Sequence, residues 1–295
     1  MSTHNNGHAH DAHHGHAAGG FWRTYVFSID HKVIGIQYGV TSLAFLFFGF
    51  SLMMLMRWQL AYPGEALPLI GSLFGPNSMP DGIMLPEFYN SLGAMHGTIM
   101  VFLGVVPLGV GAFGNYVMPL QIGAPDMAFP KLNMMSYWIY FAGGVTMLAS
   151  FFIPGGAANS GWTSYPPLSV IATTGQTVWI LGMVLLITSS LLGSVNFIVT
   201  VLQLRVKGLT FMRLPFFVWA QFVTSFLLLL AFPPLEVAGI LQLMDRVAGS
   251  SFITCVSASI AIGTTITPAR PPPTSHNISL RVTLRFMACT KTRWC

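Results

Sequence analysis

The sequence contains very few charged residues. Lys, Arg, Asp and Glu make up 7% of its 295 positions, and only eight residues are acidic. Apolar residues make up 53%, and a chain with so little charge cannot fold in water without exposing large apolar surfaces. The composition therefore excludes an ordinary water-soluble globular protein and predicts an integral membrane protein.

Five long apolar stretches support this class. About 20 apolar residues suffice to span a bilayer as a helix, and a helix satisfies its own backbone hydrogen bonds there. The stretches are 36–56, 92–118, 134–153, 178–204 and 216–244, the last interrupted by Pro233 and Pro234. We predict an all-α, polytopic transmembrane bundle of five helices within the lipid bilayer. No apolar segment of a cleaved signal peptide precedes the first stretch, so we expect that helix to direct insertion.

The basic residues outside the spans predict the orientation. Six flank the spans on the side of the N-terminus: Arg23, Lys32, Lys131, Arg205, Lys207 and Arg213. The opposite loops between the spans hold only Arg57, and positive flanks stay in the cytoplasm. We therefore predict a cytoplasmic N-terminus, in a bacterial plasma membrane or, alternatively, a mitochondrial inner membrane. The net charge of +5 follows from this topology and does not indicate nucleic-acid binding. Glu236 and Asp245 are expected near the outer interface.

Cysteine is absent from the first 254 residues. Cys255, Cys289 and Cys295 all lie in the last 41 residues, together with several Arg residues and the run Ala-Arg-Pro-Pro-Pro-Thr-Ser at 269–275. No further spanning stretch follows, and basic residues on the outer side would oppose the pattern of the other loops. We predict that 252–295 is an aberrant tail produced by a shifted reading frame near Phe252. A natural disordered extension is the alternative.

Histidine is scarce inside the predicted spans. Seven of the nine histidines precede the first span, His276 lies in the tail, and only His96 lies within a span. An ionisable residue at that depth predicts a functional site, and imidazole is a good ligand for iron. Gly97 leaves room for a flat macrocycle; a histidine hydrogen-bonded to a neighbouring helix is the alternative. Residues 1–20 form a His/Gly-rich tail, interpreted as mobile and solvated rather than as a metal site.

Five motifs in one order resemble a known family. They are Asp-His-Lys-Val-Ile-Gly at 30–35, Tyr-Asn-Ser-Leu-Gly-Ala-Met-His-Gly-Thr-Ile-Met at 89–100, Gly-Asn-Tyr at 114–116, Gln-Ile-Gly-Ala-Pro-Asp-Met-Ala-Phe-Pro at 121–130 and Gly-Trp-Thr-Ser-Tyr-Pro-Pro at 161–167. Over 21–251 the chain resembles the N-terminal membrane region of cytochrome c oxidase subunit I, a haem–copper terminal oxidase. Nitric oxide reductases are related, but Gly-Ala-Pro-Asp favours the oxygen-reducing branch.

The resemblance implies roles for two groups of residues. His96 would be one axial ligand of the low-spin haem, and Arg57 would hydrogen-bond the haem formyl group, although a lone arginine there can also be a snorkelling anchor. Asp126 would be the mouth of a proton-uptake path. The path would continue through Asn115, Asn133, Asn196, Ser189 and Ser190, each of which can instead be a polar helix-packing residue. The family often has two successive asparagines where this chain has Asn133-Met134.

The resemblance also implies a reaction for the parent enzyme. It would oxidise cytochrome c, reduce oxygen and pump protons, with a second haem, a copper ion and subunits II and III. That chemistry needs six histidine ligands, and this chain supplies one within its spans, so we predict no catalytic residues and no turnover by this chain alone. The alternatives are a metal-free helical proton or ion transporter, in which His96 would be idle, and a non-functional truncated product.

Overall fold

Five long helices form the molecule. The computed structural model describes residues 20–68, 71, 78–153, 156–166 and 168–253, and it contains no strand within them. The helices are α1 (His31–Ala61), α2 (Pro86–Ile122), α3 (Pro130–Phe152), α4 (Thr174–Gln203) and α5 (Phe216–Val247), each long and apolar enough to cross a membrane. The predicted all-α bundle of five spans is confirmed.

Helix α1 begins five residues earlier than predicted. The side chain of Asp30 caps it by accepting a hydrogen bond of 2.7 Å from the backbone N–H of Lys32, and a carboxylate is a favourable cap at the positive end of a helix. The helix continues to Ala61. Arg57 therefore lies within the last turns of α1 rather than beyond its end.

Two side chains from other helices donate to backbone carbonyls of α2. Near Pro107, where α2 is wound as a π-helix over Ile99–Val105 and Pro107–Gly114, the Tyr140 hydroxyl of α3 donates to the carbonyl oxygen of Leu103 over 2.7 Å. Proline has no N–H to donate within a helix. Pro119 removes the donor for the carbonyl of Asn115, and Nδ1 of the buried His31 donates to it over 2.8 Å. Since lipid offers no substitute donor, these contacts tie α3 and α1 to the middle and end of α2.

Pro233 and Pro234 do not interrupt α5, contrary to the sequence-based prediction. The helix is continuous from Phe216 to Val247 with both prolines inside it. Two missing N–H groups cost two intrahelical hydrogen bonds, and such losses are tolerated in membrane helices. Glu236 lies eleven residues and Asp245 two residues before the last residue of α5, and their position near the outer interface stays a prediction.

Close contact between α3 and α4 depends on a pair of glycines. A Cβ on Gly143 would lie 3.1 Å from the carbonyl oxygen of Gly182, and a Cβ on Gly182 would lie 3.0 Å from the carbonyl oxygen of Gly143. Small residues let membrane helices approach until their backbones touch. This contact brings the polar faces of α3 and α4 together beside the site described below.

Arg246 joins the end of α5 to the loop before α4. Its guanidinium donates to Oγ1 of Thr177 and to four backbone carbonyl oxygens at distances of 2.6–3.2 Å. The four carbonyls belong to Ser169, Val170, Ala172 and Thr173. A planar guanidinium with five donors suits such a cluster of acceptors.

Large apolar side chains cover the outside of the bundle. Phe47 is 72% exposed, Leu230 73% and Phe216 94%, and apolar surface on this scale is stable only against lipid or further protein. The chain is a multi-pass membrane protein.

Candidate functional site

His96 lies half-buried on α2 and contacts α1. Its Nδ1 donates to the carbonyl oxygen of Gly49 over 2.8 Å, because a carbonyl oxygen can only accept. The bond requires a proton on Nδ1, and Nε2 makes no hydrogen bond to a described residue. A neutral imidazole with its second nitrogen held by a carbonyl is the arrangement that metal-bound histidines adopt. His96 therefore makes the hydrogen bond to a neighbouring helix that a packing histidine would make. Its Nε2, the atom that would bind a metal, is not used by that bond.

Open space lies beside His96. A Cβ on Gly97 would meet no atom within 4 Å, so a flat group can approach the backbone of α2 there. On the same helix, Gly93 faces Met56 of α1, whose methyl group would be 3.3 Å from a Cβ on Gly93. Arg57 follows Met56 and is exposed. Arg57 therefore lies about one helical turn from His96 along the α1–α2 pair, towards the N-terminal end of α2, and no contact joins the two side chains.

Asp126 lies at the opposite end of the bundle, in the loop between α2 and α3. Partial burial raises the pKa of its carboxyl above the ordinary value of an aspartate. The Met127 N–H, which donates to Oδ1 over 2.6 Å, lowers the pKa, as do the neighbouring His31 imidazole and a hydrogen bond from the His31 backbone, while the nearby Asp30 raises it. The carboxyl is half-buried, so it can exchange protons with water.

The three asparagines of the predicted path differ in their contacts. Asn196 holds the backbone of Phe129 with both ends of its amide, at 2.9 and 3.3 Å, and so fixes the Asp126 loop to α4. Asn133 is buried, and its Nδ2 has no partner among the described residues; the same holds for Oδ1 of Asn115. Buried amides of this kind ordinarily bind ordered water.

A cavity lined by apolar side chains and by seven polar ones lies between α1, α2, α3, α4 and α5. Its volume is about 50 Å³, and a buried water needs roughly 10–15 Å³, so it has room for about three waters. Its polar lining is formed by Tyr38, Asn115, Ser136, Tyr140, Ser189, Ser190 and Ser194. The structure thus brings three predicted residues, Asn115, Ser189 and Ser190, to one cavity, whereas Asp126, Asn133 and Asn196 do not line it.

Four of these lining residues were missed by the sequence analysis. The Tyr38 hydroxyl lies 3.1 Å from Oγ of Ser136, and the Ser189 hydroxyl donates to the Ser136 carbonyl over 2.6 Å. Tyr140 and Ser194 complete the set. Their signal is a run of hydroxyl residues on one face of an otherwise apolar helix, with Tyr38, Thr41 and Ser42 spaced three and four apart on α1.

Neither terminal segment adds a described site. Residues 1–19, the predicted His/Gly-rich tail, and residues 254–295 lie outside the described part of the chain. Within the described part, no group of three or more His, Cys, Asp or Glu side chains is close enough to hold a metal ion. Any metal bound by the described residues through His96 would therefore have fewer than three such protein ligands.

Fold and site together define a multi-pass helical membrane protein with one histidine in a span whose Nε2 makes no hydrogen bond to a described residue, and with a cavity between its helices that hydroxyl groups line in part. The chain belongs to the family of cytochrome c and quinol oxidase polypeptide I, whose sequence profile matches residues 33–266. This family binds haem and copper. The match extends fifteen residues past 251, into the tail for which a shifted reading frame is predicted; the origin of that tail stays a prediction.

Curated relatives support the family assignment. The chain is 46% identical to cytochrome c oxidase subunit 1 of Synechocystis sp. over 237 residues, which is 80% of this chain and 40% of that protein. It is 46% identical over 235 residues to the subunit from Thermostichus vulcanus, covering 78% and 39%. For Bacillus sp. (strain PS3) the identity is 42% over 230 residues, covering 77% and 34%. The chain thus spans about two fifths of the length of these relatives.

The residues around His96 fit a haem. Nε2 of His96 is free of hydrogen bonds to described residues and could bind iron, and the open space at Gly97 could admit a macrocycle. A haem bound there would supply one-electron transfer.

Proposed function

We propose that this chain forms the N-terminal helices of a haem–copper oxidase subunit I and that His96 is an axial ligand of its low-spin haem. The single observation that carries the proposal is the hydrogen bond from Nδ1 of His96 to the Gly49 carbonyl. It fixes the ring against α1 and reserves Nε2 for iron, because the tautomer is set by the acceptor.

In this proposal the chain's own residues have two tasks. His96 holds the haem, and the exposed Arg57 donates to its formyl group. At the other end Asp126 takes protons from water, and the amides of Asn115, Asn133 and Asn196 lead towards the cavity at Ser189 and Ser190. The raised pKa of Asp126 and the three-water volume of the cavity support this path, since both favour short proton steps between water and hydroxyl groups.

The whole-enzyme activity follows from the family rather than from these helices. We propose that the parent enzyme oxidises cytochrome c, reduces oxygen to water and pumps protons, together with subunits II and III and with copper and a second haem held elsewhere. The described residues contain no copper ligand set, so the chain alone is expected not to turn over. We place it in a bacterial plasma membrane with a cytoplasmic N-terminus, supported by the bacterial relatives and by the basic flanks.

The test is the haem content of the chain purified from haem-proficient membranes. Wild type should carry up to one haem and His96→Ala none. A third variant, with the six histidines of residues 1–20 replaced, controls for adventitious binding by the tail and should match wild type. Haem retained by His96→Ala would contradict the proposal and favour the metal-free transporter. A chain that cannot be recovered from membranes in any variant would indicate the non-functional truncated product.

A further inference from the structure

An aromatic segment precedes α1. Phe21, Trp22, Tyr25 and Phe27 lie close together in the sequence, and Trp22–Val26 forms one turn of π-helix. The ring centroid of Phe21 is 6.2 Å from that of Trp22 and 5.4 Å from that of Tyr25. Each of the four side chains is nevertheless more than half exposed. Aromatic surface of this size needs an apolar or interfacial partner.

The segment folds back along the bundle and does not extend away from it. The side-chain amide of Gln37 on α1 donates to the backbone carbonyls of Tyr25 and Val26 over 2.6 and 2.9 Å. The ring of Phe27 stacks on Trp138 of α3, with the centroids 5.1 Å apart. Because lipid supplies no donor, the Gln37 amide lets these two carbonyls lie beside the hydrocarbon.

The two tethering residues lie below the starts of their helices. Gln37 follows the first residue of α1 by six positions, about 9 Å along the axis, and Trp138 follows the first residue of α3 by eight, about 12 Å. Helix α1 has 31 residues and is about 46 Å long, whereas a bilayer core is about 30 Å thick. About 8 Å of a centred α1 thus projects on each side, so Gln37 lies at the boundary between headgroups and hydrocarbon.

The exposed face of α1 continues from this segment into the bilayer. Ile36, Val40, Leu43 and Phe47 recur every three or four residues, and all four are exposed. A stripe with this spacing lies on one face of a helix. It offers no polar group that would specify a protein partner, whereas lipid covers such a surface without one.

The charged residues around the segment suit anionic headgroups. Arg23 lies within the π-helical turn and is exposed, and its guanidinium has no acidic partner among the described residues. Lys32 in the first turn of α1 is exposed as well. The nearby carboxylate of Asp30 accepts from the backbone N–H of Lys32 as the helix cap. Aromatic rings beside uncompensated basic residues are typical of the membrane–water interface.

We propose that residues 21–27 form an in-plane membrane anchor, between the headgroups and the hydrocarbon of the leaflet on the N-terminal side, and that its partner is an anionic phospholipid. The rings of Trp22 and Tyr25 lie at the glycerol level, where one side is apolar and the other is wet. The Arg23 guanidinium binds the lipid phosphate. The assignment involves neither haem nor the proton path, so it stands apart from the proposed function.

The depth of the segment is tested by tryptophan fluorescence of the full chain in nanodiscs. The lipids are brominated either near the glycerol backbone or near the end of the acyl chains, since bromine quenches a tryptophan that it contacts. The chain has seven tryptophans, so the contribution of Trp22 is the difference between wild type and Trp22→Phe. Bromine near the glycerol should quench this contribution more strongly than bromine at the chain end. Trp179→Phe is the control, because Trp179 is 4% exposed and its contribution should respond to neither lipid.

The headgroup preference is tested with a minority of brominated phosphatidylglycerol in unlabelled phosphatidylcholine. Trp22 should be quenched more than by the same fraction of brominated phosphatidylcholine. Arg23→Gln should remove this excess, a change of about fivefold in relative lipid affinity. Lys207→Gln, at an exposed position between α4 and α5, should keep it.

Three results would overturn the assignment. Trp22 quenched by aqueous acrylamide but by neither brominated lipid would place the segment in water. Trp22 shielded from all quenchers would place another protein surface, such as a second copy of the chain, over it. Equal quenching by the two headgroups would overturn the choice of an anionic lipid.

A second variant keeps the depth testable if Trp22→Phe fails to accumulate. Gln37→Leu deletes the hydrogen bonds to Tyr25 and Val26, so the segment should move towards water and the acrylamide quenching of the chain should rise. Unchanged quenching in Gln37→Leu would contradict the tether and the depth that follows from it.

Discussion

Nδ1 of His96 and the carbonyl oxygen of Gly49 are 2.8 Å apart, and this bond links the packing of α1 on α2 to the chemistry of the imidazole. Gly49 can serve as the acceptor because its own position is crowded: a Cβ there would lie 2.8 Å from Sδ of Met100. The close approach of the two helices therefore holds the ring in one tautomer. A histidine that only packed would gain nothing from keeping Nε2 without a partner.

Gly97→Leu should weaken haem binding without unfolding the chain. The new side chain would occupy the open space beside His96, where a Cβ meets nothing within 4 Å. We expect at least about a tenfold rise in the dissociation constant, equivalent to about 1.4 kcal/mol, measured by haem titration in detergent. Gly109→Leu is the matched control, since Gly109 is equally open and lies on α2 away from His96. Equal losses in both variants would count against a haem pocket at Gly97.

Gly182→Ala should destabilise the bundle. The added methyl group would press on the carbonyl oxygen of Gly143 at 3.0 Å and on the backbone of Met147, so α3 and α4 would have to separate. Overpacking of this kind costs about 1–3 kcal/mol. Denaturant unfolding followed by circular dichroism measures it. Gly97→Ala, in open space, should be neutral or slightly stabilising because alanine is the better helix former, and an equal loss there would contradict the packing argument.

Arg246→Lys should loosen the loop before α4. An ammonium group has three donors and no planar fork, so it cannot replace a guanidinium that donates to Thr177 and four carbonyl oxygens. We expect a loss of about 2 kcal/mol in unfolding free energy and faster proteolysis between α3 and α4. Arg213→Lys, at an exposed position, should change neither quantity. An unchanged rate of proteolysis in Arg246→Lys would contradict the role of Arg246 in holding the loop before α4.

The titration of Asp126 should respond in opposite directions to its two neighbours. Burial raises its pKa, His31 lowers it and Asp30 raises it. Asp30→Asn, which keeps a capping side chain for α1, should therefore lower the pKa of Asp126, and His31→Gln should raise it. Carboxyl carbon chemical shifts in labelled protein report both changes, and a shift in the reverse direction for either variant would contradict the described geometry.

The same raised pKa has a consequence for stability. The folded chain holds the Asp126 proton more tightly than the unfolded chain. Protonated Asp126 therefore adds to the free energy of unfolding at low pH, and this contribution is lost as pH rises through the folded pKa of Asp126. Asp126→Asn should remove this pH dependence from thermal unfolding curves. The unfolding temperature of the variant would then depend less on pH than that of wild type across that range. Identical slopes for the two proteins would show that the pKa of Asp126 is not raised.

The spans were predictable because their signal is composition alone. Five apolar stretches gave five helices, and His96 was identifiable as the single histidine within them. The detailed contacts were not predictable from composition. The start of α1 depends on the Asp30 cap, and the continuity of α5 through Pro233 and Pro234 depends on the tolerance of a membrane helix for missing donors.

The site was predictable only in part, for a similar reason. The resemblance to the family identified Asn115, Ser189 and Ser190, but Tyr38 and Ser136 come from helices that are distant in sequence and meet only in the bundle. His31 was counted among seven histidines before the first span, yet it is buried because Pro119 frees a carbonyl that needs a donor.

The most direct test of the central claim is rescue of His96→Gly by free imidazole. In the wild-type chain supplied with haem, resonance Raman spectroscopy should show an iron–histidine stretch. The variant should lack this band and regain an iron–imidazole band when imidazole is added, because the ligand re-enters the space left by the side chain. A variant that binds haem with the wild-type spectrum before imidazole is added would contradict the assignment of His96 as the haem ligand.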